Sequence, residues 1–99
     1  MMPFENHSNR AFTATSIDNN APAASGVYGL SNARRWIYIG ESDNLRLRLL
    51  DHLRETDTFL KAQMPTGFTY ELCTPADRTA RQDRLVLELE PVVNRQETP

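Results

Sequence analysis

The sequence predicts an α+β domain in which a small three-stranded sheet, antiparallel or mixed, is flanked by helices. Three observations carry that expectation. Gly26-Val27-Tyr28-Gly29-Leu30 and Arg35-Trp36-Ile37-Tyr38-Ile39-Gly40 are rich in aromatic and β-branched residues. The short polar link Ser31-Asn32-Ala33-Arg34 joins them into an antiparallel hairpin. Leu45, Leu49 and Leu53 recur every fourth residue, with Leu47 and Leu50 widening the stripe, which is the period of an amphipathic helix. Phe68-Thr69-Tyr70-Glu71-Leu72-Cys73 alternates as a half-buried strand does, and a second helix signal follows it. Such strands and stripes bury their apolar sides together only if helices cover the sheet.

Taken in order, residues 1–20 are rich in Asn, Ser, Thr and Ala without a sustained period. They read as a flexible lead with a short strand near Phe12, and His7 within it has no assigned role. Residues 21–96 form the folded domain, entered through the turn-like Ala21-Pro22-Ala23-Ala24-Ser25-Gly26. After the hairpin, Ser42-Asp43-Asn44 offers three N-cap residues for a helix from about Asn44 to Arg54. Thr56 to Met64 reads as a shorter helix stopped before Pro65. Thr74-Pro75-Ala76-Asp77 has the form of a helix start with Thr74 as N-cap. That last helix is expected to reach Leu89 or Glu90 and to end at Pro91, with Val92-Val93-Asn94 as an extended tail.

The chain has 99 residues, enough for one domain with one modest core. Its single cysteine, Cys73, excludes an intrachain disulfide framework, and no His stands near it in sequence to make it a nucleophile. No apolar run has the length of a membrane span, and the first residues lack the charged and apolar regions of a secretory signal. A soluble cytoplasmic protein is the resulting expectation. The net charge of −2 opposes nucleic-acid binding, but its distribution does not. Of the 11 basic residues only Lys61 is not Arg, and most of the arginines cluster as Arg34, Arg35, Arg46, Arg48 and Arg54, then Arg78, Arg81 and Arg84. Arginine grips phosphate with two parallel hydrogen bonds, although such clusters also serve as ordinary solvated surface. Trp36 reads as sheet-face packing.

Gly26-Val27-Tyr28, Tyr38-Ile39-Gly40, the run from Glu41 through Asn44 and Arg48 to His52, and Pro91-Val92-Val93-Asn94 together resemble the GIY-YIG nuclease superfamily. That family includes the N-terminal incision domain of the bacterial excision-repair nuclease and small stand-alone members. The resemblance spans about residues 22 to 95 and rests on the order and spacing of the fragments. It implies an endonuclease that hydrolyses DNA phosphodiester bonds with Mg2+ or Mn2+, as in DNA repair. Tyr28 and Tyr38 would be the motif tyrosines, one of which activates the attacking water or takes its proton. Arg48 would hold the scissile phosphate. His52 would assist proton transfer from the next turn of the same helix. Gly26, Gly40, Asn44 and Asn94 would support the site, and Arg35, Arg46 and Arg54 would contact the nucleic acid. The chemistry is consistent with these residue types: phosphodiester hydrolysis needs an activated water, charge neutralised on phosphate oxygens and a stabilised leaving oxygen.

Two positions depart from the family pattern. Where the family has a metal-binding Glu on the last helix, counting back from Pro91 places Gln82, whose amide oxygen carries no charge for a hard cation. Three options stay open: a weak metal site through Gln82, a rescue by the adjacent Asp83, or no competent metal site. Glu41 stands where the excision-repair relatives have Lys. The alternatives to a nuclease are a nucleic-acid-binding module that has lost cutting, motivated by Gln82, and a protein-interaction domain, motivated by Asp83, Glu88 and Glu90 on the last helix. Oligomeric state is not legible.

Overall fold

The expected hairpin lies at the centre of the structure. In the computed structural model, which describes Phe4, residues 9–54 and residues 58–97, strand β2 (Gly26–Ser31) pairs antiparallel with β3 (Trp36–Ser42), setting Tyr28 opposite Gly40 and Leu30 opposite Tyr38. Strand β4 (Gly67–Leu72) pairs antiparallel with the other edge of β2, setting Tyr28 opposite Tyr70. All six residues of β2 are buried, because it is an inner strand covered on both faces.

The sheet has four strands rather than three, in the order β1-β4-β2-β3. The added strand, β1, is Arg10–Ala11, paired antiparallel with Phe68 and Gly67. It precedes helix α1, Ala14–Asn20, whose N-cap Thr13 accepts a hydrogen bond from the Ser16 N–H at 3.2 Å. Strand β1 is the short strand expected near Phe12, one residue earlier, whereas helix α1 was not expected in this lead. Residues 10–20 carry ordered elements, and Ile17 is fully buried. The sequence hid this helix because Ile17 is its one large apolar residue, too little for a 3.6-residue period to emerge. His7 lies outside the described residues.

Helix α2 runs Leu45–Arg54 and α3 runs Thr58–Ala62, close to the two helices expected there. Thr56, the expected start of the second, lies outside the described residues. Helix α4 spans Arg78–Leu89, so Thr74 is not its N-cap. Instead Thr74 Oγ1 donates to Asp77 Oδ2 at 3.0 Å and the Asp77 N–H donates to the Thr74 carbonyl at 3.0 Å. These bonds close a separate turn, and the α-helical ladder starts with the Arg81 N–H on the Asp77 carbonyl. The helix ends at Glu90 in the left-handed conformation (φ 47°), whose N–H caps the Val86 carbonyl. Val92–Asn94 is not an extended tail but the start of helix α5, Val92–Glu97. Pro91 closes one helix because it cannot donate to the ladder, and its fixed φ suits it equally to open the next.

Two buried clusters lie on the two faces of the sheet. On one, Tyr28, Leu30 and Phe68 meet Ile17, Leu45, Leu49 and Leu60. On the other, Val27 and Ile39 meet Leu85 and Phe4, with Val86 and Leu89 of α4 beside them. Val27 and Tyr28 thus point to opposite faces, as adjacent strand residues must.

Candidate functional site

The motif residues converge where α2 crosses the β2–β3 hairpin. Asn44 starts α2: its Oδ1 accepts the Leu47 N–H at 3.1 Å, and Ser42 Oγ holds the Asn44 N–H at 3.0 Å. The helix then presents Leu45, Leu49 and His52 inward. His52 is 5% exposed, and its Nε2 lies 2.6 Å from Tyr28 Oη, a short buried hydrogen bond whose donor depends on the imidazole tautomer. Tyr38 sets its ring edge-on to the same imidazole at 5.4 Å between centroids, and the two tyrosine rings are 6.2 Å apart. Three aromatic groups able to carry protons therefore share one contact zone.

Gly40 makes room for this packing. A Cβ there would stand 2.5 Å from Tyr28 Oη, so the phenol lies directly over the glycine opposite it. Gly26 is held as closely, with the Glu71 carbonyl and Leu45 against it. Tyr28 is completely buried and Tyr38 half-buried, so Tyr38 is the phenol that reaches solvent while Tyr28 backs the imidazole. Tyr28→Phe deletes the 2.6 Å bond and strands a buried ring nitrogen of His52. Urea unfolding is expected to show a loss of about 1–2 kcal/mol for that variant.

Arg48 stands one helical turn before His52, half-buried and on the same side of α2. Asn94 braces the site from the other end of the chain. Its Oδ1 accepts the Ile39 N–H at 2.7 Å and its Nδ2 donates to the Ile39 carbonyl at 2.9 Å. The residue between Tyr38 and Gly40 is thereby fixed at both backbone atoms. In Asn94→Ala the Ile39 amide is expected to exchange its proton faster, with about 1–2 kcal/mol lost from global stability, both measurable by hydrogen exchange.

The arginines expected to contact nucleic acid are not brought together. Arg46 is exposed but its Nε donates to the Ala21 carbonyl at 2.8 Å, Arg54 is exposed at the end of α2, and Arg35 lies at the β2–β3 turn. Sequence reasoning missed the Tyr28–His52 hydrogen bond, whose partners are 24 residues apart. It also missed two ion pairs that tie α4 to the sheet. Arg78 Nε lies 3.2 Å from Glu41 Oε1, and Arg81 grips Glu71 through two bonds of 2.7 and 2.9 Å. The hydrogen bonds to Glu71 are the main reason the Arg81 guanidinium is held above its ordinary pKa. Cys73 is half-buried, and burial, then the charges of Glu71 and Asp77, push its thiol pKa up, away from nucleophilic use.

The residue that the resemblance sets at the metal position, Gln82, offers an amide rather than a carboxylate. Gln82 is half-buried on the α4 stripe that carries Leu85, Val86 and Leu89, whereas Asp83 is exposed. One residue rotates a helix by about 100°, so Asp83 and Gln82 stand on different sides of α4. Glu41 and Glu71 are engaged by arginines, and among the described residues no group of three or more His, Cys, Asp or Glu is placed to hold a metal.

No protein-family model and no curated protein matches the sequence. Solved structures do. The chain superposes on the N-terminal GIY-YIG endonuclease domain of UvrC from Thermotoga maritima, seen as a point mutant bound to its catalytic divalent cation. The TM-score is 0.64 at 21% identity over 76% of this chain and 90% of that domain. This chain has the GIY-YIG fold. A second point mutant of the same UvrC domain, also bound to the catalytic divalent cation, gives a TM-score of 0.63 at 20% identity over the same shares. Within the GIY-YIG fold, the hairpin and α2 carry Tyr28, Tyr38, Arg48 and His52. Among the described residues no helix is long and apolar enough to cross a membrane.

Proposed function

We propose that this chain is a nuclease-type domain that hydrolyses nucleic-acid phosphodiesters, with DNA as the substrate class and a cytoplasmic setting. The observation that carries the reading is the contact of Tyr28 Oη with His52 Nε2 at 2.6 Å, with Tyr38 against the same imidazole. Imidazole is the side chain whose ordinary pKa lies nearest neutral pH, whereas an isolated phenol, with a reference pKa of roughly 10, is a poor base there. Arg48, one turn away, supplies the positive charge that a phosphate oxygen needs as negative charge builds on it. The UvrC domain structures carry a catalytic divalent cation, and such an ion can neutralise phosphate charge and activate water in phosphodiester hydrolysis. This chain presents the amide of Gln82 where the resemblance places the cation's carboxylate, so hydrolysis with Mg2+ or Mn2+ is expected to be slow.

The test is conversion of supercoiled plasmid to nicked circles by the purified protein with Mg2+, with Mn2+ and with chelator. Nicking in at least one condition supports the reading. Protein that cuts no form of DNA in any of them contradicts it. Gln82 also favours a second reading, a module that binds nucleic acid without cutting. That reading expects no nicking but DNA binding that weakens steeply with salt, because phosphate contacts release counterions.

A further inference from the structure

A cleft of about 270 Å3 opens at the turn of the β2–β3 hairpin, lined by Asn9, Ser31, Asn32, Arg34, Arg35 and Trp36. We propose that this cleft, which Arg34, Arg35, Trp36 and the carboxamides of Asn9 and Asn32 line with no carboxylate among the described residues, is a second nucleic-acid subsite that takes an unpaired nucleotide of the bound strand. The inference rests on the nuclease reading and extends it to a place none of the motif residues occupies.

The chain as a whole carries a net charge of −2, yet the described residues of this lining carry two positive charges and no negative one. Arg34 and Arg35 are exposed, and among the described residues neither takes part in an ion pair. Their guanidinium groups remain available to an anion that accepts in a plane, as phosphate does. The turn that carries them is rigid. Asn32 Oδ1 accepts the N–H groups of both Arg34 and Arg35, at 2.9 and 3.0 Å, and Asn32 Nδ2 donates to the Gln63 carbonyl at 2.8 Å. Below it, the buried Ser31 donates from Oγ to Asn9 Oδ1 at 3.3 Å. Little ordering of the backbone is left for a ligand to impose. Trp36 is half-buried, backed by Phe4 at 5.4 Å between rings, and forms an apolar wall of the cleft. An aromatic wall beside phosphate-binding groups suits a nucleobase attached to its phosphate, and only an unpaired base offers its face for stacking. Ser31 lies three residues beyond Tyr28 on β2, roughly 10 Å along the strand.

Trp36 is the only tryptophan of the chain, so its emission reports on this cleft alone. The experiment titrates the full chain with a ten-nucleotide oligothymidylate in chelator, reading Trp36 fluorescence at several salt concentrations. The proposal expects saturable quenching. In the Arg34→Ala, Arg35→Ala double variant the dissociation constant is expected to rise roughly tenfold or more, as for loss of charge-assisted hydrogen bonds. The slope of log affinity against log salt is expected to fall by about 1.4, for two phosphates on a single strand. Unchanged circular dichroism would show that the variant is folded. Absence of quenching, a double variant that binds like the parent, or equal quenching by polyglutamate of matched length would each overturn the subsite. Plasmid nicking is measured in parallel. Nicking without quenching removes the subsite and leaves the nuclease reading intact, whereas quenching without nicking keeps the subsite and removes cutting.

Discussion

Arg48→Ala is expected to lower plasmid nicking by about two to three orders of magnitude, the usual cost of removing a positioned donor to a developing negative charge. Arg48 is half-buried on α2, one turn from His52, so the substitution acts beside the aromatic contact zone without entering the leucine stripe of the helix. The fold should survive, and thermal melting compared with the parent checks that it does. Arg48→Lys separates charge from geometry. A lysine keeps the charge but loses the planar fork, so it is expected to recover only part of the activity. Nicking that persists unchanged in Arg48→Ala would remove Arg48 from the chemistry, whatever the state of the fold.

The second large effect runs in the opposite direction. Gln82→Glu is expected to raise nicking in Mg2+ or Mn2+ by about 10- to 100-fold, the range over which metal affinity responds to a change in its donor environment. The side chain is half-buried on the inward stripe of α4, and Glu differs from Gln by little more than charge. Arg78 and Arg81 of the same helix are already engaged by Glu41 of β3 and Glu71 of β4. A new carboxylate at position 82 is therefore available to a cation rather than to an arginine. Calorimetric titration with Mn2+ gives a readout separate from activity. If Gln82→Glu gains neither binding nor cleavage, the charge at position 82 is not what limits this site. Asp83→Ala, at an exposed position, is expected to leave both unchanged and serves as the control.

Much of this arrangement was legible from residues alone, and the exceptions have physical causes. The hairpin and α2 could be read because Val27, Tyr28, Ile37 and Tyr38 prefer strands and the Leu45–Leu49–Leu53 spacing admits only a helical face. Helix α1 could not be read, since Ile17 alone anchors it and the packing of α1 against α2 supplies the rest. Helix α5 was masked by Pro91, which signals an end more plainly than a beginning. Tyr28, Tyr38, His52 and Asn94 were legible only as a motif, because nothing local in the sequence reveals that His52 folds back onto Tyr28 or that Asn94 reaches Ile39. The exposed Arg34 and Arg35 gave no local signal of a cleft, which exists only once Asn9 is brought to Ser31.

The grip of Asn94 on Ile39 has a consequence beyond bracing. Strand β3 is an edge strand of the sheet, opposite to β1, and an open strand edge invites a foreign strand to dock and extend the ladder. The carboxamide of Asn94 satisfies one donor and one acceptor at the middle of that edge, much as a single peptide unit of an added strand would. The same side chain that steadies the backbone between Tyr38 and Gly40 thus acts as a stopper against edge-to-edge aggregation.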